Sequence, residues 1–164
     1  NRCPRRNPYC VYQDFMTQTP KGALIKSIQT RLEGDRKVGF LLSGGLDSSI
    51  VSAVGANILP QIVTFSISYT HNSRDKPFSD LMSRHLKTKH HNVTYNFQDG
   101  LNILEEVIQM IESYDITTIR ASVPHYLLGK YIKENTDIKI ILSGEGADEV
   151  CGVRSRTFKP YHFL

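Results

Sequence analysis

Apolar positions along the chain alternate between two kinds of pattern. Between Thr19 and Gly34, Leu24, Ile25, Ile28 and Leu32 recur at helical intervals and form one stripe. The ends are marked: Thr19 suits a cap, Pro20 the first helical position and Gly34 the residue just past the end. "KVGFLL" is then a short continuous apolar run, as expected of a strand covered on both faces. "SSIVSAVGANIL" returns to helical spacing, with Ile50, Val51, Val54 and Ile58 expected inward. "QIVTFSI" predicts a strand, "SYTHNSRDKP" a polar loop, "FSDLMSRHLKTK" a helix and "HNVTYNF" a strand, with His90 and His91 at its start. Asp99 suits the cap of a helix in "GLNILEEVIQMIES", a second helix follows in "VPHYLLGKYIKEN", and "IKIILS" closes the series as a strand. Strands alternate with helices and no hairpin signal intervenes, which predicts a doubly wound parallel α/β sheet. Residues 1–18 show no period and read as an irregular arm or linker.

A chain of 164 residues is the size of one domain, and 40% hydrophobic with 22% charged residues is an ordinary globular composition. No apolar run approaches the roughly 18 residues of a membrane span, and no secretory signal pattern is present. Cys3, Cys10 and Cys151 are too scattered for a disulfide framework or zinc spacing, which predicts a reducing, cytoplasmic setting. The net charge of +4 first suggests nucleic acid. Arg2, Arg5, Arg6, Arg154, Arg156 and Lys159 carry it at the two ends, however, and acidic residues outnumber basic ones between them. Neither a nucleic-acid nor a membrane partner is expected.

The candidate chemistry lies where two expected strands end, in "LLSGGLDSS" and "LSGEGADE". Open α/β sheets bind ligands beyond the carboxyl ends of their strands. Gly44 and Gly45 let the backbone turn sharply and bring amides close to a ligand. Ser48 and Ser49 open a helix whose free amides favour an anion. Such a loop suits phosphate. It is not a Walker A loop, which needs a longer glycine spacing and a lysine, and it lacks the third glycine of the dinucleotide fingerprint. Asp47 beside a polyphosphate would be repulsive unless Mg²⁺ lay between or next to them, so a metal-held phosphate is expected. The plainer alternative is a tight strand-to-helix turn in which Asp47 caps the helix. The second loop, which repeats Ser-Gly with further carboxylates, weighs against it.

"SGGLDSS" resembles the pyrophosphate-binding PP-loop of the N-type ATP pyrophosphatases. "ESYDITTIRAS" and "LSGEGADE" narrow the likeness to the synthetase domain of the glutamine-dependent asparagine synthetase family. The three motifs come in the family's order and approximate spacing, and the likeness runs from about Ala23 to Gly152. It implies an adenine nucleotide alpha hydrolase-like, Rossmann-like three-layer domain over residues 19–152, followed by a divergent tail, 153–164. It implies ATP and Mg²⁺ as cofactors, aspartate as substrate and ammonia as the nitrogen donor, through a β-aspartyl-AMP intermediate with release of pyrophosphate. Residue by residue, Ser43, Gly44, Gly45, Asp47 and Ser48 would form the pyrophosphate site, with Asp47 on the metal. Leu41 and Ile67 would contact adenosine, and Ser143 and Gly144 would close over the nucleotide. Glu145 would act on ammonia, and Asp148 on the metal or in substrate positioning. Thr117, Thr118 and Arg120 would lie near the reacting carboxylate and phosphates.

Each role has a plainer rival: core packing for Leu41 and Ile67, a surface charge for Arg120, and helix-start carboxylates for Glu145 and Asp148. The sequence also departs from the family. No glutaminase domain with its nucleophilic cysteine precedes the motifs, and "SYTHNSRDKPFSDL" is longer than the family's Ser-Pro-Asp-Leu stretch. After Gly152 the expected His-Lys pair and the family's further residues do not follow, which predicts a truncated domain that binds ATP but is essentially inactive. Two alternatives stay open: a catalytically dead nucleotide- or partner-binding remnant, and a related adenylating amidotransferase such as a β-lactam synthetase.

Overall fold

In the computed structural model, residues 19–70 and 73–147 are described. Helix α1 (Pro20–Leu32) starts as the sequence predicts, with the Gly22 amide donating to Thr19 Oγ1 at 3.3 Å and Pro20 in the first turn. Strand β1 (Val38–Leu41) leads into α2 (Leu46–Ile58), β2 (Val63–Tyr69), α3 (Lys76–His85) and β3 (Lys89–Tyr95). Then come α4 (Phe97–Asn102), α5 (Leu104–Ile111), α6 (Ile116–Asn135) and β4 (Ile140–Leu142). All strand pairings are parallel and the order is β3-β2-β1-β4. The chain therefore lays β2 and β3 to one side of β1, then returns across it to place β4 on the other. This is the predicted doubly wound α/β architecture, and the reversal beside β1 is where such sheets form ligand crevices.

Alternate side chains of the strands feed two cores, one on each face. On one face Phe40, Ile62 and Leu142 pack with Ile28 of α1 and with Val51 and Val54 of α2. On the other, Phe65 packs with Leu128 and Ile132 of α6 and with Ile138, flanked by Leu41 and Ile67. Gly39 makes this second layer possible, because a Cβ there would lie 2.8 Å from the Phe65 ring and 2.9 Å from Ile141 Cδ1.

Several local expectations are corrected by packing. Ile50 and Ile58 do not face inward; both are exposed, and the buried stripe of α2 is Ser48, Ser52 and Gly55. The Phe40 ring fills the space against Gly55, so no side chain fits at that position. Leu24 likewise stays exposed although Ile28 beside it is buried. The expected single helix from Gly100 to Ser113 is two, α4 and α5, meeting at Ile103. Asp99 is not the cap of α4 but the reciprocal partner of the cap Asn96 in a capping box. Helix α6 starts seven residues before Val123, where Asp115 caps it, and runs through Pro124. β3 starts two residues earlier than expected, so His90 and His91 lie within it.

Candidate functional site

The loop after β1 is tied by its own serines. The Ser43 amide donates to Ser48 Oγ at 3.2 Å, the two hydroxyls lie 2.9 Å apart, and the Gly45 amide donates to Ser43 Oγ at 3.3 Å. Ser48 Oγ in turn donates to the Gly45 carbonyl at 3.3 Å. Gly44 has φ +86°, and a Cβ there would lie 2.5 Å from the Phe78 backbone, so the loop is pressed against the start of α3. Helix α2 has Gly45 at its cap and no side chain satisfying its first amides. Asp47 stands in the first turn and does not cap it. These free amides give the loop a partial positive end that suits an anion.

The loop after β4 reaches the same place. Gly144 abuts the start of α2: a Cβ on it would lie 2.7 Å from the Ser48 nitrogen and 2.8 Å from the Asp47 carbonyl carbon. Beyond it, the Glu145 amide donates to Ser143 Oγ at 3.1 Å and the Ala147 amide to the Gly144 carbonyl at 3.3 Å. The two glycine loops thus share one wall, and a cleft of about 290 Å³ opens between them, β2 and α6.

Leu41, Ser43, Gly45, Asp47, Ser48, Ile67, Ser143, Gly144 and Glu145 line this cleft. Gly44 is not among them, being turned into the packing against α3. Thr117, Thr118 and Arg120 lie exposed in the first turns of α6, outside the lining. There the Thr118 amide and hydroxyl both donate to Asp115 Oδ2, at 2.7 and 2.8 Å, and hold that carboxyl below its ordinary range. Asp148 lies outside the described residues.

Sequence reasoning missed Ser66, Ser68, Asp75 and His125, all of which line the cleft. Serines at alternate positions of "TFSIS" were a signal, since they share the face opposite Phe65 and Ile67. Asp75 and His125 had no spacing signal, because α3 and α6 deliver them from elsewhere in the chain. Among the described residues no cluster of three or more His, Cys, Asp or Glu suits a metal. The carboxylates that line the cleft, Asp47, Asp75 and Glu145, could hold a Mg²⁺ arriving with phosphate oxygens.

Comparison with known proteins follows the same lines. The family model for asparagine synthase matches residues 21–163. A protein named probable glutamine-hydrolysing asparagine synthetase in Acanthamoeba polyphaga mimivirus is 47% identical over 132 residues, covering 79% of this chain and 24% of its own length. The glutamine-hydrolysing asparagine synthetases of Bos taurus and Homo sapiens are 44% and 43% identical over 150 residues, covering 85% of this chain and 27% of theirs. The chain spans about a quarter of the length of these relatives. Among solved structures, an NH3-dependent NAD synthetase from Campylobacter jejuni superposes with a TM-score of 0.56 at 16% identity, over 85% of this chain and 58% of the other, which is a likeness of fold. With a family match spanning nearly the whole sequence, the chain belongs to the asparagine synthase family.

Proposed function

We propose that this chain is the nucleotide-binding core of an asparagine-forming ligase that works through an adenylate. An oxygen of the aspartate side-chain carboxylate attacks the α-phosphorus of ATP, and the bond to pyrophosphate breaks. Ammonia then attacks the acyl carbon, loses a proton, and AMP leaves with the bonding electron pair. The observation that carries this reading is the meeting of two Ser-Gly loops, from neighbouring parallel strands, over the uncapped start of α2. Free amides there are suited to charge developing on a leaving pyrophosphate, an effect of about 3 kcal/mol per well-aimed donor. Bound Mg²⁺, held by Asp47 and in the full site by Asp148, would supply further positive charge to the phosphates. Leu41 and Ile67 offer an apolar wall for adenosine, and Ser143 and Gly144 a lip over the nucleotide. Glu145, on the cleft lining, would orient ammonia and take its proton. Thr117, Thr118 and Arg120 would meet the aspartate carboxylate or phosphates only if the ligand extends past the cleft toward the start of α6. The ammonia would derive from glutamine in a separate glutaminase domain.

A second reading, nucleotide binding without synthesis, is favoured by one observation: no lysine or arginine lines the cleft among the described residues. Pyrophosphate release with aspartate, ATP and ammonium separates the two. Synthesis predicts aspartate-dependent release whose steady-state rate also needs ammonium and falls at least a hundredfold in Glu145→Gln. Binding alone predicts Mg-ATP affinity that weakens in Asp47→Asn, with no aspartate-dependent release. If titration calorimetry finds equal Mg-ATP affinity for Asp47→Asn and the parent, with unchanged circular dichroism, Asp47 has no metal role.

A further inference from the structure

Building on the nucleotide-binding reading of the cleft, we propose that His125 is the cleft's cationic contact, holding an anionic oxygen of the bound nucleotide's phosphate chain as an imidazolium opposite Glu145. The lining is otherwise wrong in sign for a polyanion. Asp47 comes from α2, Asp75 from the turn before α3 and Glu145 from the loop after β4, and His125 is the one basic side chain facing them among the described residues. At the α2 end, free amides can meet phosphate charge. At the Glu145 end His125 is the one cationic side chain that can, among the described residues.

The imidazole is also held for this purpose. Nδ1 lies 2.7 Å from the Ala121 carbonyl, which can only accept, so Nδ1 carries a proton and donates to it. That leaves Nε2 as the free end, turned to the cleft and 4.0 Å from Glu145 Oε1. This separation is too long for a hydrogen bond and leaves the Nε2 position open to a ligand oxygen. Histidine changes charge between pH 5 and 8, and a bound anion favours the charged form. Nucleotide binding should therefore take up a proton near neutral pH, and acid should tighten it.

Titration calorimetry of the 164-residue protein tests this, with Mg-ATP as ligand and adenosine as an uncharged control. For the parent protein, Mg-ATP affinity is expected to weaken about fivefold between about pH 6 and about pH 8, the size of a partly exposed charge pair. Near pH 7 the apparent enthalpy should vary with the buffer's ionisation heat, as proton uptake requires. In His125→Gln both effects disappear, while adenosine binds parent and variant alike at both pH values. His125→Lys restores the charge without titrating in this range, so it keeps the tighter affinity at both. A Gln variant that retains the pH dependence and the proton uptake overturns the inference and leaves the reading of the cleft intact. A parent protein that binds neither adenosine nor Mg-ATP overturns both.

Discussion

Gly144 has almost no space around it. A methyl group in its place would press on the backbone of Asp47 and Ser48, at 2.8 and 2.7 Å, and neither can yield as a flexible side-chain tip does. Gly144→Ala should therefore force the two loops apart where the cleft closes. Overpacking of this kind costs about 1–3 kcal/mol in a rigid setting, but these loops sit at the sheet's open end and can shift. The strain should accordingly appear in the site more than in the fold. We expect a melting temperature within a few degrees of the parent's and Mg-ATP affinity reduced at least tenfold, on the order of 1.4 kcal/mol. Undiminished affinity in calorimetry would mean that the contact between the loops does not shape the cleft.

Strands β2 and β3 meet through polar side chains where a buried parallel sheet usually carries aliphatic ones. His90 Nδ1 lies 2.9 Å from Thr64 Oγ1 and its Nε2 3.0 Å from Ser66 Oγ, while Asn92 Nδ2 donates to Ser66 Oγ at 2.6 Å and to Ser68 Oγ at 3.3 Å. Burial holds His90 below the ordinary histidine value of 6.5, with the Asp80 carboxylate acting the other way. His91, stacked on Phe65, is lowered by burial and by Lys89. As pH falls below 6.5 the unfolded chain takes up protons that the folded histidines still refuse, so stability is present above that value and declines beneath it. Urea unfolding between about pH 7.5 and 5.5 should show this decline, and His90→Gln should make it shallower. An identical slope in the variant would remove His90 as a source. These histidines also mark how far the sequence could be read. The alternation of strands and helices, and the small residues at strand ends, were visible because local pattern alone dictates them. The buried stripe of α2 was not, because the Phe40 ring that demands Gly55 within it comes from another element. The helix was expected from Val123, yet α6 starts earlier at the Asp115 cap and carries Pro124 within it. Glu145 announced itself in a motif. His125 and Asp75 did not, since only the placement of α6 and α3 brings them to the cleft.

Among the described residues, two groups of large apolar side chains are exposed. Phe97, Leu101, Met110, Tyr114 and Ile116 are exposed along α4, α5 and the start of α6, and Leu46, Phe78 and Leu81 where the starts of α2 and α3 meet. Exposed apolar groups of this kind promote association. The 164-residue chain should accordingly gain mass in sedimentation velocity over a concentration series. Replacing Phe97 and Met110 together by serine should reduce this, and a parent chain that stays monomeric throughout contradicts it. The strand order has a different consequence, in time. β1 and β4 are sheet neighbours, and Lys37 pairs with Asp137 across 100 positions of chain. Closing so long a loop costs entropy before any contact compensates for it. Ser43 to Ser48 are adjacent in sequence and take shape with β1 and α2, whereas Gly144 and Glu145 wait for β4 to dock. During refolding or synthesis, the half of the cleft suited to phosphate is thus available early and the half that bears Glu145 is added last. A ligand that needs both loops can be held only once β4 has docked beside β1.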